Sequence, residues 1–297
     1  MPGPGWETAP MRVDFDTDLA AFAADAVHWL RGDPVRNNVA ATVIQSRADG
    51  LVALEPGARW MRVVDGDRLA GVAAMTPPHP LLVPVLSADV AVALADGLAG
   101  ALPQLPGVGG PREVAERFTA RWSARTGAKA HLVRTSNLYR ATELVPPTGV
   151  PGHARPIARE DLETVVDWLA AFAVEIRADD GPPASREDRL AALERRLAHD
   201  PPLLWVWERT GRIVSVAGRT VPAFGVSRIN AVYTPPEHRG HGYAAANVAH
   251  LAALLLAEPA VEFAMLYADA AKPANNRLYR RIGFELHGEA VEYRYGY

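Results

Sequence analysis

The sequence predicts a mixed α/β fold built in two halves, and three observations carry that prediction. Amphipathic helical periodicity and short β-type runs alternate along the chain. The order of elements read after residue 156 is repeated, less clearly, before residue 148. Between the two lies Leu144-Val-Pro-Pro-Thr-Gly-Val-Pro-Gly-His153, whose prolines remove backbone donors and whose glycines break both periodicities. The expected organisation is a flexible N-terminus at 1–10, one domain at 11–148, a linker at 149–155 and a second domain at 156–297.

In the second half, apolar residues at Leu162, Val165, Val166, Leu169, Phe172 and Ile176 give a helix from Arg159 to Ala178, ended by the loop Asp179-Asp-Gly-Pro-Pro183. Ser185, three residues before Asp188, has the spacing of a capping box and opens a second helix to about His199. Leu203–Trp207 and Arg212–Thr220 read as a hairpin across Arg209-Thr-Gly211, and Arg228–Tyr233 as a third strand. A helix from Tyr243 to about Ala257, a strand at Val261–Tyr267, a helix at Asn275–Ile282 and a strand pair near Phe284 and Val291–Tyr295 complete the order.

The first half reads as helices in Asp16–Arg31 and Pro34–Ser46, a hairpin of Trp60–Val64 with Leu69–Met75, and a strand at Leu81–Leu86. A helix at Ala88–Leu102, a short strand at Gly107–Gly109, a helix at Arg112–Ala124 and a closing segment Ala130–Leu144 follow. The tryptophan-to-glycine spacing is the same in both hairpins, six positions from Trp60 to Gly66 and from Trp205 to Gly211. A diverged internal duplication accounts for this; an unrelated α/β domain of similar composition is the alternative.

Composition narrows the function classes. Of 297 residues, 49% are apolar and 22% charged, the balance of a folded chain long enough for two domains. A net charge of -3 gives no reason to expect a nucleic-acid or membrane partner. No apolar run reaches the length of a membrane span, and the start Met1-Pro-Gly-Pro-Gly-Trp-Glu lacks the pattern of a secretory leader. With no cysteine, disulfides, thiolate metal sites and a cysteine nucleophile are excluded, and a reducing cytoplasm is the expected compartment. The nine histidines show no metal-ligand spacing, so no metal is expected.

The chemistry concentrates in the turn Arg239-Gly-His-Gly242, between a strand and a helix. Two glycines there let the chain leave the strand sharply and expose consecutive N–H groups at a helix N-terminus, which favours an anion such as a pyrophosphate. Arg239 is placed to add a charge-assisted contact. An ordinary glycine turn fits the same residues.

The longer stretch Val232-Tyr-Thr-Pro-Pro-Glu-His-Arg-Gly-His-Gly-Tyr-Ala244 resembles motif A of the GNAT superfamily of acyl-CoA-dependent N-acyltransferases. Lys272-Pro-Ala-Asn275-Asn276-Arg-Leu-Tyr279-Arg-Arg-Ile-Gly283-Phe284, forty positions on, resembles its motif B. The resemblance spans roughly Pro156 to Tyr297. It implies a mixed-sheet GNAT fold, in two tandem GNAT-like domains, and acetyl-CoA as the acyl-donor substrate. It places the pantetheine along the main chain of Val232, Tyr233 and Thr234, and the pyrophosphate on the N–H groups of Arg239, Gly240, His241, Gly242, Tyr243 and Ala244. Tyr279 would donate to the departing thiolate, unless it is a core tyrosine. Asn275 or Asn276 would contact the cofactor or cap the helix.

Two positions depart from the family pattern. Lys272 stands where asparagine is frequent, and Glu237 where glutamine or arginine is usual. The general base is less clear, because the strand before motif A offers Arg228 and Asn230 where some relatives have a carboxylate. Glu175 is the best remaining candidate, with Asp179 and Asp180 near it; a solvated surface carboxylate and deprotonation through ordered water are the other readings. In the first half, Ser87-Ala-Asp89-Val-Ala occupies the place of the glycine turn, and Tyr139 lies on an expected strand. That half therefore reads as a degenerate GNAT-like domain without a cofactor site. The activity implied is acetyl transfer to an amine of a small molecule or peptide by direct attack in a ternary complex. A longer or carrier-bound acyl donor, and a non-catalytic acyl-CoA sensor, are the alternatives.

Overall fold

The computed structural model describes residues 11–102, 104–176 and 185–297, so the expected flexible N-terminus and the carboxylates Asp179 and Asp180 lie outside the described residues. The chain forms two compact units, one of residues up to Ser136 together with Glu289–Tyr297, the other Asn137–Gly288.

The first unit contains β1 (Arg12–Asp16), α1 (Leu19–Leu30), α2 (Asn38–Ala48), β2 (Arg59–Asp65), β3 (Arg68–Met75), β4 (Leu81–Leu82), α3 (Ala88–Ala101), β5 (Gly107–Pro111), α4 (Arg112–Thr126) and the start of β6 (Lys129–Ala141). The Asp18 carboxylate caps α1 through Ala20 and Ala21 N–H, and Phe22, Ala26 and Leu30 then fall on one buried face. The sheet runs antiparallel from β1 through β4, and β5 pairs parallel with β4. Its core gathers Met61, Leu81, Leu94, Leu98, Phe118 and Trp122 with Val291 from the far end of the chain.

The second unit contains β7 (His153–Pro156), α5 (Leu162–Glu175), α6 (Arg186–Leu197), β8 (Leu204–Arg209), β9 (Arg212–Arg219), β10 (Val226–Tyr233), α7 (Tyr243–Leu256), β11 (Phe263–Asp269), α8 (Pro273–Arg281) and the start of β12 (Phe284–Gly296). The expected capping box forms: Ser185 Oγ accepts from Asp188 N at 3.0 Å, and an Asp188 oxygen accepts from Ser185 N at 3.2 Å. Strands β7 to β10 pair antiparallel in order, and β10 pairs parallel with β11. One face packs Leu251, Leu255, Leu266, Ile282 and Phe284 under α7 and α8. The other packs Val165, Val166, Leu193, Leu204, Val216 and Tyr233 under α5 and α6.

Among the described residues both units follow the order strand, two helices, three strands, helix, strand, helix, strand. Four expectations change. The leading strands β1 and β7 were not legible, because Arg12–Asp16 is five residues with three polar side chains and β7 ends in a proline; only the registers Arg12↔Val64 and His153↔Glu208 make them strands. The strand expected at Leu81–Leu86 is two residues long. The expected final strand pair is the single strand β12, whose Ala290–Arg294 pairs with Pro111–Gly107 of β5. Gly107 permits that approach, since a Cβ there would run into Tyr293 O. Finally, the units part at Ser136/Asn137, inside β6, and the proline- and glycine-rich stretch lies within the second unit. No described helix is long and apolar enough to cross a membrane.

Candidate active site

The site begins where two parallel strands separate. The β10–β11 ladder pairs Val226 through Ile229 with Phe263 through Leu266 and ends there. Beyond it the register of β10 against β9 shifts between Asn230 and Tyr233, and Ala231 takes φ +50°, an unusual value for alanine. Ser215 Oγ, on β9, donates to Tyr233 O at 3.1 Å. The bulge interrupts the regular alternation of main-chain groups just where β11 leaves β10. Thr234 O is already taken by Arg239 Nε at 2.9 Å.

The turn then delivers the chain to α7. Gly240 and Gly242 both have φ +82°, a left-handed conformation costly for residues with a Cβ. Gly242 is the N-cap of α7 and no side chain caps that end, so the first-turn N–H groups are left for an external acceptor. Gly240, His241 and Gly242 are exposed, whereas the Tyr243 side chain is buried, and its hydroxyl accepts from Arg209 Nη1 at 2.8 Å. The His241 ring stacks on Tyr243 at 5.4 Å. Tyr243 therefore serves the turn through its main chain, while its ring anchors the helix.

Arg239 points elsewhere than expected. Its guanidinium folds back over the Tyr233 ring at 5.8 Å, holds Thr234 O and donates from Nη2 to Glu175 Oε1 at 2.6 Å. Lys272, the departure from the motif B pattern, donates from Nζ to Glu175 O at 3.2 Å, a favourable place for a cation at the C-terminal end of α5. Both basic residues thus converge on Glu175, the candidate base.

Tyr279 is 8% exposed on α8, against Tyr139 at 6.2 Å and edge-on to Phe284 at 6.3 Å. Burial pushes its phenol up to about 12, so it stays protonated throughout the neutral range. Asn275, at the start of α8, is exposed. Asn276 is a correction: its Nδ2 donates to Asp269 O at 2.8 Å and Lys272 O at 2.9 Å, and its Oδ1 accepts from Asn137 Nδ2 at 2.7 Å and Tyr139 Oη at 2.9 Å. An amide has two donor hydrogens and two acceptor lone pairs, so Asn276 has no capacity left for a cofactor. Nor is it the helix N-cap, which is Lys272. It ties β6, β11 and α8 together. Tyr139 stands more than a hundred positions from α8, and no local sequence signal pairs them.

The corresponding segment of the first unit is closed. Val83 N donates to Gly109 O at 3.0 Å, continuing the contact of β4 with β5 beyond Leu82. Val85 N donates to Asn37 Oδ1 and Val85 O accepts from Trp29 Nε1. Ser87 Oγ caps α3 through Val90 N, and Asp89 adds a negative charge to the first turn. Main-chain groups of this segment thus have protein partners.

Residues 162–284 match the model of the acetyltransferase (GNAT) family. An acetyltransferase of the GNAT family from Colwellia psychrerythraea aligns with a TM-score of 0.64 and 11% identity over 96% of this chain and 100% of that one. A GCN5-related N-acetyltransferase from Sphaerobacter thermophilus aligns at 0.63 and 18% identity over 95% of each chain. A tandem GNAT protein from the clavulanic acid biosynthesis pathway aligns at 0.55 and 14% identity, over 95% of this chain and 98% of its own. No curated protein matches the sequence. At these identities the structural likenesses speak to the fold.

Proposed function

We propose, on the premise that residues 162–284 are an acyltransferase domain of the GNAT family, that the second unit transfers acetyl from acetyl-CoA to an amine. The observation that carries this reading is the parting of β10 from β11 directly before an uncapped helix N-terminus. A strand edge suited to pantetheine amides runs into a set of N–H groups suited to a pyrophosphate. Val232 would hold the pantetheine, and the N–H groups of Gly240 to Ala244 the pyrophosphate. Arg239 would brace the strand end through Thr234 and Tyr233.

In the reaction, the acceptor nitrogen attacks the thioester carbonyl carbon. The N–C bond forms, the C–S bond breaks with its electron pair on sulfur, and one amine proton is lost as the thiolate gains one. Tyr279 is the donor to sulfur, since a phenol kept neutral by burial delivers a hydrogen bond to a developing thiolate. Glu175 is the base. The first unit takes part in no cofactor binding, because its equivalent strand edge is hydrogen-bonded to β5 and its helix end is capped. Its matching element order supports a tandem duplication in which one copy keeps the site.

Calorimetric titration of the whole chain with acetyl-CoA, combined with a thiol-release assay over an amine panel, tests this. One site per chain and amine-dependent release of CoA are expected. A stoichiometry of two, or no binding, contradicts it; binding with no release turns the reading towards a sensor.

A further inference from the structure

The α5–α6 face of the second unit's sheet holds two guanidinium groups that no carboxylate neutralises among the described residues. Arg196, on α6, reaches the sheet, and its Nη2 donates to Leu203 O at 3.2 Å and to Asn230 Oδ1 at 3.3 Å. Gly218 on β9 makes the space: a Cβ there would overlap Arg196 Nη2 and lie 2.7 Å from Asn230 Oδ1. Arg228 stands two residues before Asn230 on β10, so strand alternation directs it to the same face. Arg196 and Arg189 also line a cavity of about 120 Å³ with Val166, Leu169, Ala192 and Leu193, and Arg189 Nε is buried there without a hydrogen-bond partner among the described residues.

The electrostatics match the geometry. Desolvation lowers Arg196 to about 10 and lowers Arg228 from its ordinary value, whereas the carboxylate-paired Arg155 is raised. Both side chains are half-buried, and a partly desolvated cation without a carboxylate beside it favours a bound anion. The fork of an arginine fits a carboxylate through two parallel hydrogen bonds. Asn230 is two residues from Val232, at most about 7 Å along the chain, which places the cations within a small molecule's length of the proposed thioester site.

We propose that the acceptor is a small aminocarboxylate, its carboxylate seated on Arg196 and Arg228 beside Asn230 and its amine directed to the gap at Val232. This rests on the acyltransferase reading above and adds the acceptor class. It also eases proton removal, because nearby cations disfavour the ammonium form of the acceptor.

The test uses the whole chain, acetyl-CoA and free amino acids, with β-alanine and γ-aminobutyrate included, each paired with its own carboxamide. The carboxylate forms are expected to show kcat/KM at least about 10-fold above the carboxamides, the worth of a charge-assisted contact. Arg196→Gln and Arg228→Gln should each raise KM for the preferred aminocarboxylate about 10- to 100-fold and leave KM for acetyl-CoA unmoved. Arg196→Lys should recover part of the loss. Should Arg196→Gln fail to fold, as its melting curve would reveal, Arg228→Gln carries the test. Preference for carboxamides, an unmoved KM in Arg228→Gln, or acetyl-CoA binding without turnover of any aminocarboxylate overturns the proposal. Absence of acetyl-CoA binding by calorimetry strikes the acyltransferase reading itself, so the two failures are distinguishable.

Discussion

Arg239 Nη2 meets Glu175 Oε1 at 2.6 Å, joining the arginine of the glycine turn to the carboxylate proposed as base. Their side chains are 47% and 39% exposed, and ion pairs in that setting contribute about 0–1 kcal/mol to stability. The contact therefore orients both groups more than it stabilises the fold. Glu175→Gln is expected to lower turnover about 100-fold, the scale of general-base assistance, with the greatest loss at low pH and little change in melting temperature. A pH–rate profile parallel to that of the unsubstituted protein would assign deprotonation to water.

Gly240→Val should weaken acetyl-CoA binding while the protein still folds. A Cβ at Gly240 meets nothing within 4 Å, so packing is undisturbed. At φ +82°, however, a β-branched residue is strongly disfavoured, and leaving that conformation redirects the N–H groups of the turn. Calorimetry should show at least a ~10-fold loss of affinity, from the roughly 1–2 kcal/mol cost of left-handed backbone. Unchanged affinity would remove the turn from the cofactor site.

Tyr279→Phe should reduce kcat about 100-fold or more and leave acetyl-CoA affinity nearly intact, because the ring contacts with Tyr139 and Phe284 survive. The same phenol also gives a stability prediction. Its folded-state value of about 12 exceeds the ordinary 10.0, so the unfolded chain releases its proton first as pH rises. Stability present below pH 10 is thus lost between about pH 10 and 12. Chemical denaturation across that window should show a shallower decline in Tyr279→Phe, and equal slopes would mean the hydroxyl is solvated.

Asn276→Ala should destabilise the chain by about 2–4 kcal/mol, since it leaves Asn137 Nδ2 and Tyr139 Oη without their acceptor, while Asp269 O and Lys272 O keep main-chain donors. Acetyl-CoA affinity per folded molecule should hold. A stable variant with weakened affinity would return Asn276 to the cofactor site.

Much of this was legible in the sequence, and what was legible is local. Period 3.6 and period 2 identified the helices and most strands, Ser185 and Asp188 marked a helix start, and Arg239-Gly-His-Gly242 marked a positive-φ turn into a helix, because propensity, capping and positive φ are decided by neighbours along the chain. Only the tertiary structure decided what depends on approach through space. It made strands of Arg12–Asp16 and His153–Pro156 by pairing them, and it kept β12 as one strand. It turned Arg239 back onto Glu175, filled every hydrogen-bonding position of Asn276, and set Arg196 against Asn230 through the space left by Gly218. Such side chains have several partners of the right chemistry in the sequence, and only folding selects which lies within about 3 Å.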